Sequence, residues 1–309
     1  MRGLGLGIVV LLLLVAGGGA WAAYQLARTS TRPLDLQAPP ARQNVLVLGF
    51  GGGSHPGAYL SDAMIVISET GAGTAEISIP RDLWVQLPPN SGRYAKINEA
   101  LQDGYNSGGL PAGAELAAVK AGQVLGLPVT GWVLEDFQGF RRLIDAAGGV
   151  DVDVERAFTA RYPVNDDPSV DASWKTVHFD AGRQHLDGER ALEYARARYS
   201  TDPKEGTDFA RSARQQRLTT ALRRKVLSPA GAWRFFPVVG ATAAAMRTNL
   251  SAADMAAFFL GFRAEGAKHI TLDTSNVLVE SRSANGQDIL LPRGNNYQAI
   301  ASYVKSQLP

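Results

Sequence analysis

The residues best suited to chemistry in this sequence are the arginines between His185 and Arg217. Six of them lie in this stretch, beside the amide pair Gln215–Gln216: Arg190, Arg196, Arg198, Arg211, Arg214 and Arg217. Arginine keeps its charge at any working pH, and its planar fork of N–H donors matches phosphate oxygens. The stretch therefore predicts a polyanion-binding surface rather than a proton relay. The alternative is two amphipathic helices with solvated arginines, the usual state of a charge run on a helix.

The spacing of these residues indicates which of them share a face. Asp187–Arg198 and Asp208–Leu227 are predicted helices. Arg211 and Gln215 are four residues apart, so they lie on the same side of the second helix. Arg196 and Arg198 are only two apart, so they point to different sides unless the first helix ends between them.

Three further polar clusters lie at predicted element ends, where α/β folds place ligand groups. They are Ser61-Asp62, Arg81-Asp82 and Lys96-Ile97-Asn98. Asp62 is a candidate magnesium ligand, because Mg²⁺ typically takes one or two carboxylates together with substrate phosphates; the alternative is a capping aspartate. His55 lies in a glycine-rich loop, where it could touch a ligand or be solvated.

Several classes of function are excluded by composition and motif. The chain has no cysteine, which rules out disulfides, thiolate zinc sites and a cysteine nucleophile. It contains no GxSxG, HExxH or P-loop sequence. A formal net charge of +2 makes any anion site local and gives no indication of a nucleic-acid groove.

The amino-terminal segment predicts export. No charged residue lies between Arg2 and Arg28, and the apolar run is long enough to cross a bilayer, which needs about 20 residues. We therefore expect a transmembrane signal anchor over residues 1–28, a linker over 29–43 and one extracytoplasmic domain over 44–309. A cleaved signal peptide is the alternative, because Ala20-Trp21-Ala22 resembles a cleavage site.

The rest of the chain alternates predicted strands with predicted helices. Apolar runs at 44–50, 63–68 and 75–79 indicate strands, and the helix predicted over 137–147 is followed by Gly148-Gly149. Arg161–Ser173 is polar and predicts an insertion loop. This alternation favours an α/β fold, a single domain with a mixed central sheet flanked by helices and preceded by one transmembrane helix.

An ordered set of segments resembles the LytR-CpsA-Psr family of cell-envelope proteins. In chain order they are NVLVLG, LSDAM, SIPRDLWV, KINEA, GGVDVDV, LDGERALEYARAR and DFARSARQQR. They cover roughly residues 44–227, and the combination is specific although each segment alone is weak. The resemblance implies a phosphotransferase on the outer face of the cell membrane. Such an enzyme moves a glycopolymer from a polyprenyl-pyrophosphate carrier onto peptidoglycan and releases polyprenyl phosphate.

The resemblance also implies roles for residues at matching positions. Asp62 would be the carboxylate associated with Mg²⁺, and Arg81 and Arg211 would act with it in catalysis. The pyrophosphate would be bound by Arg81, Lys96, Asn98, Arg196, Arg198, Arg211 and Gln215. The prenyl chain would lie in an apolar pocket between sheet and helices. Arg190, Arg214 and Arg217 are left as structural residues.

The sequence departs from the family pattern at one place that bears on metal binding. Many members carry an acidic residue just after the first strand, where this chain has Phe50-Gly51-Gly52-Gly53. Two other functions therefore stay open: hydrolysis of polyprenyl pyrophosphate, and non-catalytic binding of prenyl-phosphate lipids in the envelope. A DNA-binding regulator is disfavoured, because the export segment separates the domain from DNA.

Overall fold

The computed structural model describes residues 21–25, 27–31, 42–70, 72–226, 228, 231, 233–261 and 266–309. The first 20 residues of the predicted anchor and most of the predicted linker lie outside these ranges. Within the ranges, no helix is both long and apolar enough to cross a membrane.

The described part of the chain alternates strands and helices from residue 42 onward. The strands are β1 Arg42–Phe50, β2 Ser61–Thr70, β3 Gly73–Ser78, β4 Trp84–Gln86, β5 Tyr94–Lys96, β6 Gly131–Asp136, β7 Val150–Val154, β8 Phe158–Pro163, β9 Trp174–Phe179, β10 Gly182–Leu186, β11 Arg198–Ser200, β12 Met246–Thr248, β13 Lys268–Thr271, β14 Leu278–Arg282 and β15 Asp288–Pro292. The helices are α1 Glu99–Leu125, α2 Phe137–Ala146, α3 Gly188–Arg196, α4 Asp208–Val226, α5 Phe235–Ala245, α6 Ala252–Gly261 and α7 Tyr297–Gln307, with a 3₁₀ turn at Arg293–Asn295.

Six strands form the central sheet in the order β12-β6-β1-β2-β3-β13. The β1–β6 and β3–β13 pairs are parallel and the other three pairs are antiparallel. The predicted mixed α/β architecture, a central sheet flanked by helices, is confirmed. Four smaller sheets surround it: β11-β8-β9, β10-β7, β4-β5 and β14-β15.

The period-2 pattern of the central strands separates their side chains between two faces. Leu46, Leu48 and Val66 point into the main core, where they pack with helix residues such as Ala117 and Ala121. The opposite face carries Val47, Ile65 and Ile67, whose side chains face a groove beneath α3 and α4. A second core lies between the small sheets and the helices α2, α3 and α4, and includes Ile144, Phe158, Phe179, Tyr194 and Leu218.

Two predicted boundaries differ from the structure in ways that matter for the site. Helix α3 ends at Arg196, with Ala197 as its extended C-cap, so Arg198 begins strand β11 instead of ending a helix. The predicted insertion loop over 161–173 is wrong at its start, because Arg161 belongs to β8. Phe158, Ala160 and Tyr162 alternate as buried residues in that strand, which is a period-2 signal that the acidic loop following it obscured.

Candidate active site

Asp62, Arg81, Arg196 and Arg211 line one cavity of about 200 Å³. Asp62 is the second residue of β2, Arg81 follows β3, and Arg196 is the last residue of α3. Arg211 lies in the first turn of α4, where the helix dipole is positive. Four distant segments therefore converge, each contributing its charged residue near an element end.

Asp62 is held between two guanidinium groups. Its Oδ1 lies 2.6 Å from Nη1 of Arg81, and its Oδ2 lies 3.3 Å from Nε of Arg196. Burial alone would raise the pKa of Asp62, but the charges of Arg196, Arg81 and Arg211 outweigh it and hold the pKa below its usual value. The carboxylate is therefore ionised at neutral pH.

Arg196 is fixed by contacts on all sides of its guanidinium. Its Nη1 donates to Oδ1 of Asp166 at 2.5 Å and to the hydroxyl of Tyr162 at 3.1 Å. The guanidinium carbon lies 3.8 Å from the centre of the Phe137 ring, a cation–π contact. Asp166 also accepts a hydrogen bond from Arg141 at 2.6 Å. This network orients Arg196 before any ligand arrives.

The cavity carries more positive charge than the sequence motifs predicted. Arg161 of β8 also lines it, so four arginines face one aspartate, and Tyr162, Pro163, Trp174 and Tyr199 complete the lining. The guanidinium of Arg161 lies 5.2 Å from the centre of the Trp174 ring. The lining itself carries more positive than negative charge, which complements a substituted pyrophosphate; Asp166, outside the lining, neutralises part of it by pairing with Arg196.

A second cavity, the apolar groove, adjoins the first. It has a volume of about 230 Å³ and is bordered by Asp62 and Arg196, which also line the charged cavity. Its apolar lining comes from the central sheet and three helices: Val47, Leu48, Ile65, Ile67, Phe137, Phe140, Leu192, Leu218 and Leu222. A ligand with a diphosphate head and a hydrocarbon tail can occupy both cavities at once.

One face of helix α4 lines both cavities. Arg211 lines the charged cavity, and Gln215, Leu218, Thr219 and Leu222 line the groove. These positions recur at intervals of three and four residues, which places them along one side of the helix. Gln215 donates to the Ala195 carbonyl at 3.4 Å, so its amide is next to α3 in the groove.

The other residues of the predicted site fall elsewhere. Lys96 and Asn98 lie beyond Arg81, where they line a separate, larger cleft. Lys96 is paired there with Asp82, with Nζ 2.6 Å from Oδ1. The backbone of Arg198 pairs with Arg161 across β11 and β8, but its side chain lies outside the described part of the structure.

Arg190, Arg214 and Arg217, which the sequence left as structural residues, each bind other groups of the protein. Arg214 is fully buried and binds backbone carbonyls, Arg190 pairs with Glu193 at 2.6 Å, and Arg217 pairs with Glu155.

Two acidic side chains that sequence reasoning missed border the groove at the end of β6. Burial raises the pKa of Glu135 to about 7, and the neighbouring charge of Asp136 adds to the effect. Asp136 caps α2 by accepting a hydrogen bond from the Gly139 amide at 2.6 Å. It lies beside the glycine turn that replaces the family carboxylate, since a Cβ at Gly52 would be 3.5 Å from that of Asp136.

Among the described residues that line the charged cavity, Asp62 alone supplies a carboxylate. Among the residues that the structure describes, no group of three or more His, Cys, Asp or Glu side chains is placed to hold a metal ion. The donor set thus fits a hard cation only where substrate phosphate oxygens and water provide the other ligands.

Comparison with known proteins identifies the family. The model of the LytR_cpsA_psr family matches residues 20–306. This chain belongs to the LytR_cpsA_psr family. The match extends well past the segments that carry the sequence resemblance and includes the whole of both cavities.

Two relatives in the LytR_cpsA_psr family have functional names. The polyisoprenyl-teichoic acid–peptidoglycan teichoic acid transferase TagV of Bacillus subtilis is 29% identical over 240 residues, which is 77% of this chain and 54% of TagV. The transferase of the same description named TagU, from Enterococcus faecalis, is 27% identical over 275 residues, 84% of this chain and 82% of TagU. The chain therefore spans about half the length of TagV and most of TagU.

Solved structures agree with the fold. The crystal structure of B. subtilis TagV superposes with a TM-score of 0.64 at 25% identity and covers 88% of this chain and 98% of that one. Protein gbs0355 from Streptococcus agalactiae gives a TM-score of 0.65 at 24% identity over 86% of this chain and 87% of its own.

Proposed function

We propose that this protein transfers a glycopolymer from a polyprenyl-pyrophosphate carrier onto peptidoglycan. The observation that carries the proposal is the adjacency of the two cavities. A cavity with four arginines and one aspartate shares Asp62 and Arg196 with an apolar groove. The names of TagV and TagU, which specify a polyisoprenyl-linked donor and a peptidoglycan acceptor, support the same reaction.

The roles of the residues follow from the charge that the reaction moves. An acceptor hydroxyl attacks the sugar-linked phosphorus and forms a phosphodiester, the bond to the prenyl phosphate breaks, and the leaving phosphate takes up the hydroxyl proton. Phosphoryl transfer depends mainly on positioning and charge stabilisation. Arg81, Arg196 and Arg211 hold the pyrophosphate and stabilise the charge that builds on its oxygens. The groove holds the prenyl chain, and this keeps the leaving phosphate next to these arginines.

Mg²⁺ is part of the proposal, with Asp62 as its protein ligand. Mg²⁺ takes oxygen ligands and keeps several waters, so one carboxylate and the pyrophosphate oxygens suit it. When bound, it would neutralise phosphate charge as a Lewis acid. Arg81 and Arg196 already contact both carboxylate oxygens, which keeps Asp62 ionised and oriented toward the cavity.

The proposal also places the domain on the outer face of the cell membrane. An exposed aromatic cluster at the start of α5 supports a membrane-facing surface: Trp233 is 90% exposed, and Phe235 and Phe236 are about half exposed. Trp21, which lies within the predicted anchor, packs edge-on against Phe236 with ring centres 5.4 Å apart. Protease added outside intact cells should cleave the domain, and full protection would refute this location.

The central experiment measures transfer from a lipid-linked donor to peptidoglycan. Arg211→Ala and Arg81→Ala should each lower the rate at least about a hundredfold, the typical loss when one preorganised charge-stabilising group is removed. Arg282→Ala is the control, because Arg282 is exposed on β14 and contacts only Asp288 among the described residues. Unchanged transfer by both site variants would reject the site.

The products of the same assay distinguish transfer from hydrolysis. Transfer predicts a peptidoglycan-linked polymer and prenyl phosphate in equal amounts. Release of prenyl phosphate with a free polymer phosphate, whether or not peptidoglycan is present, would instead identify a pyrophosphatase.

A further inference from the structure

One large cavity of the described structure has no role in the reaction as derived so far. This cleft has a volume of about 1170 Å³, and it shares Arg81 with the charged cavity but no lining residue with the apolar groove. Its lining comes from the glycine loop at residues 53–57, the residues just before α1, and the first two turns of α1. Amide, phenol, imidazole and carboxylate groups predominate in it, with few aliphatic side chains.

An aromatic stack forms one side of the cleft. The rings of Tyr59 and Tyr105 lie 3.7 Å apart at 19°, and Tyr59 also stacks on Phe50 at 5.8 Å. Phe50 is buried at the end of β1, so the stack is anchored in the main core and its two tyrosines line the cleft. Rigid tyrosines offer an apolar face and a hydrogen-bonding hydroxyl at low entropic cost. Sugar rings present complementary groups, since axial C–H bonds pack on aromatic faces and hydroxyls bond to polar groups at the edge.

Three polar atoms around the cleft are buried without a hydrogen-bond partner among the described residues. They are Nε2 of His55, Nε of Arg81 and Oδ1 of Asn98. The carboxylate of Asp82 lies 3.8 Å from Nε of Arg81, beyond hydrogen-bond range. Buried polar groups are normally satisfied, and a cluster of exceptions around one cavity indicates that a polar ligand supplies the missing partners.

The position of the cleft decides which substrate it suits. Asp62 and Arg196 connect the groove to the charged cavity, and Arg81 connects the charged cavity to the cleft. In phosphoryl transfer the attacking and leaving oxygens lie roughly in line. With the leaving prenyl phosphate at the groove, the attacking hydroxyl must enter away from the groove. The cleft suits that route, because it shares Arg81 with the charged cavity and no lining residue with the groove.

We propose that this cleft binds the acceptor, a chain of β-linked N-acetylhexosamines, and delivers its hydroxyl past Arg81 to the phosphorus. The Tyr59–Tyr105 stack supports a sugar ring, and His55, Asn98 and Gln102 bind its hydroxyl and acetamido groups. This assignment rests on the proposed transferase function for the identity of the acceptor. The binding of the glycan is a separate property, which can be measured without any donor.

The test uses the full chain in detergent and the variants Tyr105→Ala and Gln102→Ala. Tyr94→Ala is the control, because Tyr94 is a half-exposed tyrosine that lines a different pocket with Lys120 and Tyr297. The probes are a tetramer of β-1,4-linked N-acetylglucosamine for direct binding by calorimetry, and peptidoglycan glycan strands for transfer. Gln102 lies on the surface of α1, so its variant keeps the test valid if Tyr105→Ala fails to fold.

We expect Tyr105→Ala to weaken tetramer binding about tenfold and to raise the KM for the acceptor by a similar factor. Gln102→Ala should shift both in the same direction, whereas the KM for the lipid donor changes less than about twofold. Binding and acceptor KM that match those of Tyr94→Ala would overturn the proposal. So would a change in the KM of the donor alone, or a wild-type chain that binds no tetramer.

The two proposals can fail separately. If the wild-type chain never releases prenyl phosphate yet binds the tetramer through Tyr105, the transferase proposal is overturned and the glycan cleft stands. If prenyl phosphate is released and the tetramer does not bind, the cleft assignment is overturned and the catalytic site stands.

Discussion

Arg214→Ala should destabilise the domain by about 3–5 kcal/mol, the usual cost of removing one partner of a buried charge pair. The Arg214 side chain is fully buried. It donates to the carbonyls of Tyr194 at 2.9 Å and Ala197 at 2.5 Å, and to the carboxylate of Glu205 at 2.7 Å. These acceptors lie on both sides of Arg196, so Arg214 fixes the end of α3 that carries the site arginine. The truncated variant would leave a half-buried carboxylate and the carbonyls without donors, at about 1–3 kcal/mol for each group that water cannot reach.

Thermal unfolding of the full chain, followed by circular dichroism, measures this effect. For a domain of this size, each kcal/mol corresponds to about 2–4 °C, so the midpoint should fall by about 10 °C. Arg282→Ala is the control: Arg282 lies on β14 and pairs with Asp288, and both side chains are exposed, so about 0–1 kcal/mol is expected. Replacing both Arg214 and Glu205 by leucine should recover only part of the loss, because no charge is left buried alone while the two carbonyls still lack donors. A midpoint for Arg214→Ala within about 2 °C of wild type would refute the reasoning.

Three further predictions concern the groove, the metal and the longest helix. Burial raises the pKa of Glu135 from 4.5 to about 7, so between these values the folded chain holds a proton that the unfolded chain has lost, and stability falls as pH rises through this window. Glu135→Gln should therefore be more stable than wild type by about 3 kcal/mol at pH 8 and nearly equal to it at pH 4, as measured by urea unfolding; equal stability at both pH values would contradict the assignment. Asp62→Asn should lower transfer at least about a hundredfold and raise the Mg²⁺ concentration for half-maximal rate, and an unchanged Mg²⁺ requirement would exclude Asp62 as a ligand. Gly113→Ala should lower the free energy of unfolding by about 1–3 kcal/mol, because a Cβ there would overlap the Leu101 carbonyl where the two halves of α1 meet, and an unchanged unfolding midpoint would rule out that close approach.

Much of the fold and part of the site are predictable from local pattern. The apolar runs of β1, β2 and β3 and the helices of the arginine stretch appear within a few residues of their predicted places. Local periodicity predicts them, because apolar residues recur along a strand or helix on the face that it buries. The same reasoning gave Arg211 and Gln215 one shared face, and both do line the joined cavities.

The contacts that orient the site were not predictable in this way. Asp166, Tyr162 and Phe137 hold Arg196, yet none carries a local signal of that role. The first two come from β8 and the segment after it, where the acidic composition of residues 161–173 suggested only a loop. Lys96 and Asn98 lie close in sequence to Arg81. The structure places them in the cleft and not in the charged cavity, whereas Arg81 lines both.

The sequence by itself determined the chemical types and the local elements: arginines without a proton relay, a single carboxylate at the start of β2, and one helix face that passes from charged to apolar. Only the tertiary structure decided which of these groups meet. The reason is the strand order, in which β6 pairs with β1 and brings Phe137 and Asp136 to the edge where Asp62 begins β2. Such pairings depend on the packing of segments far apart in the chain, and the spacing of residues within a segment carries no information about them.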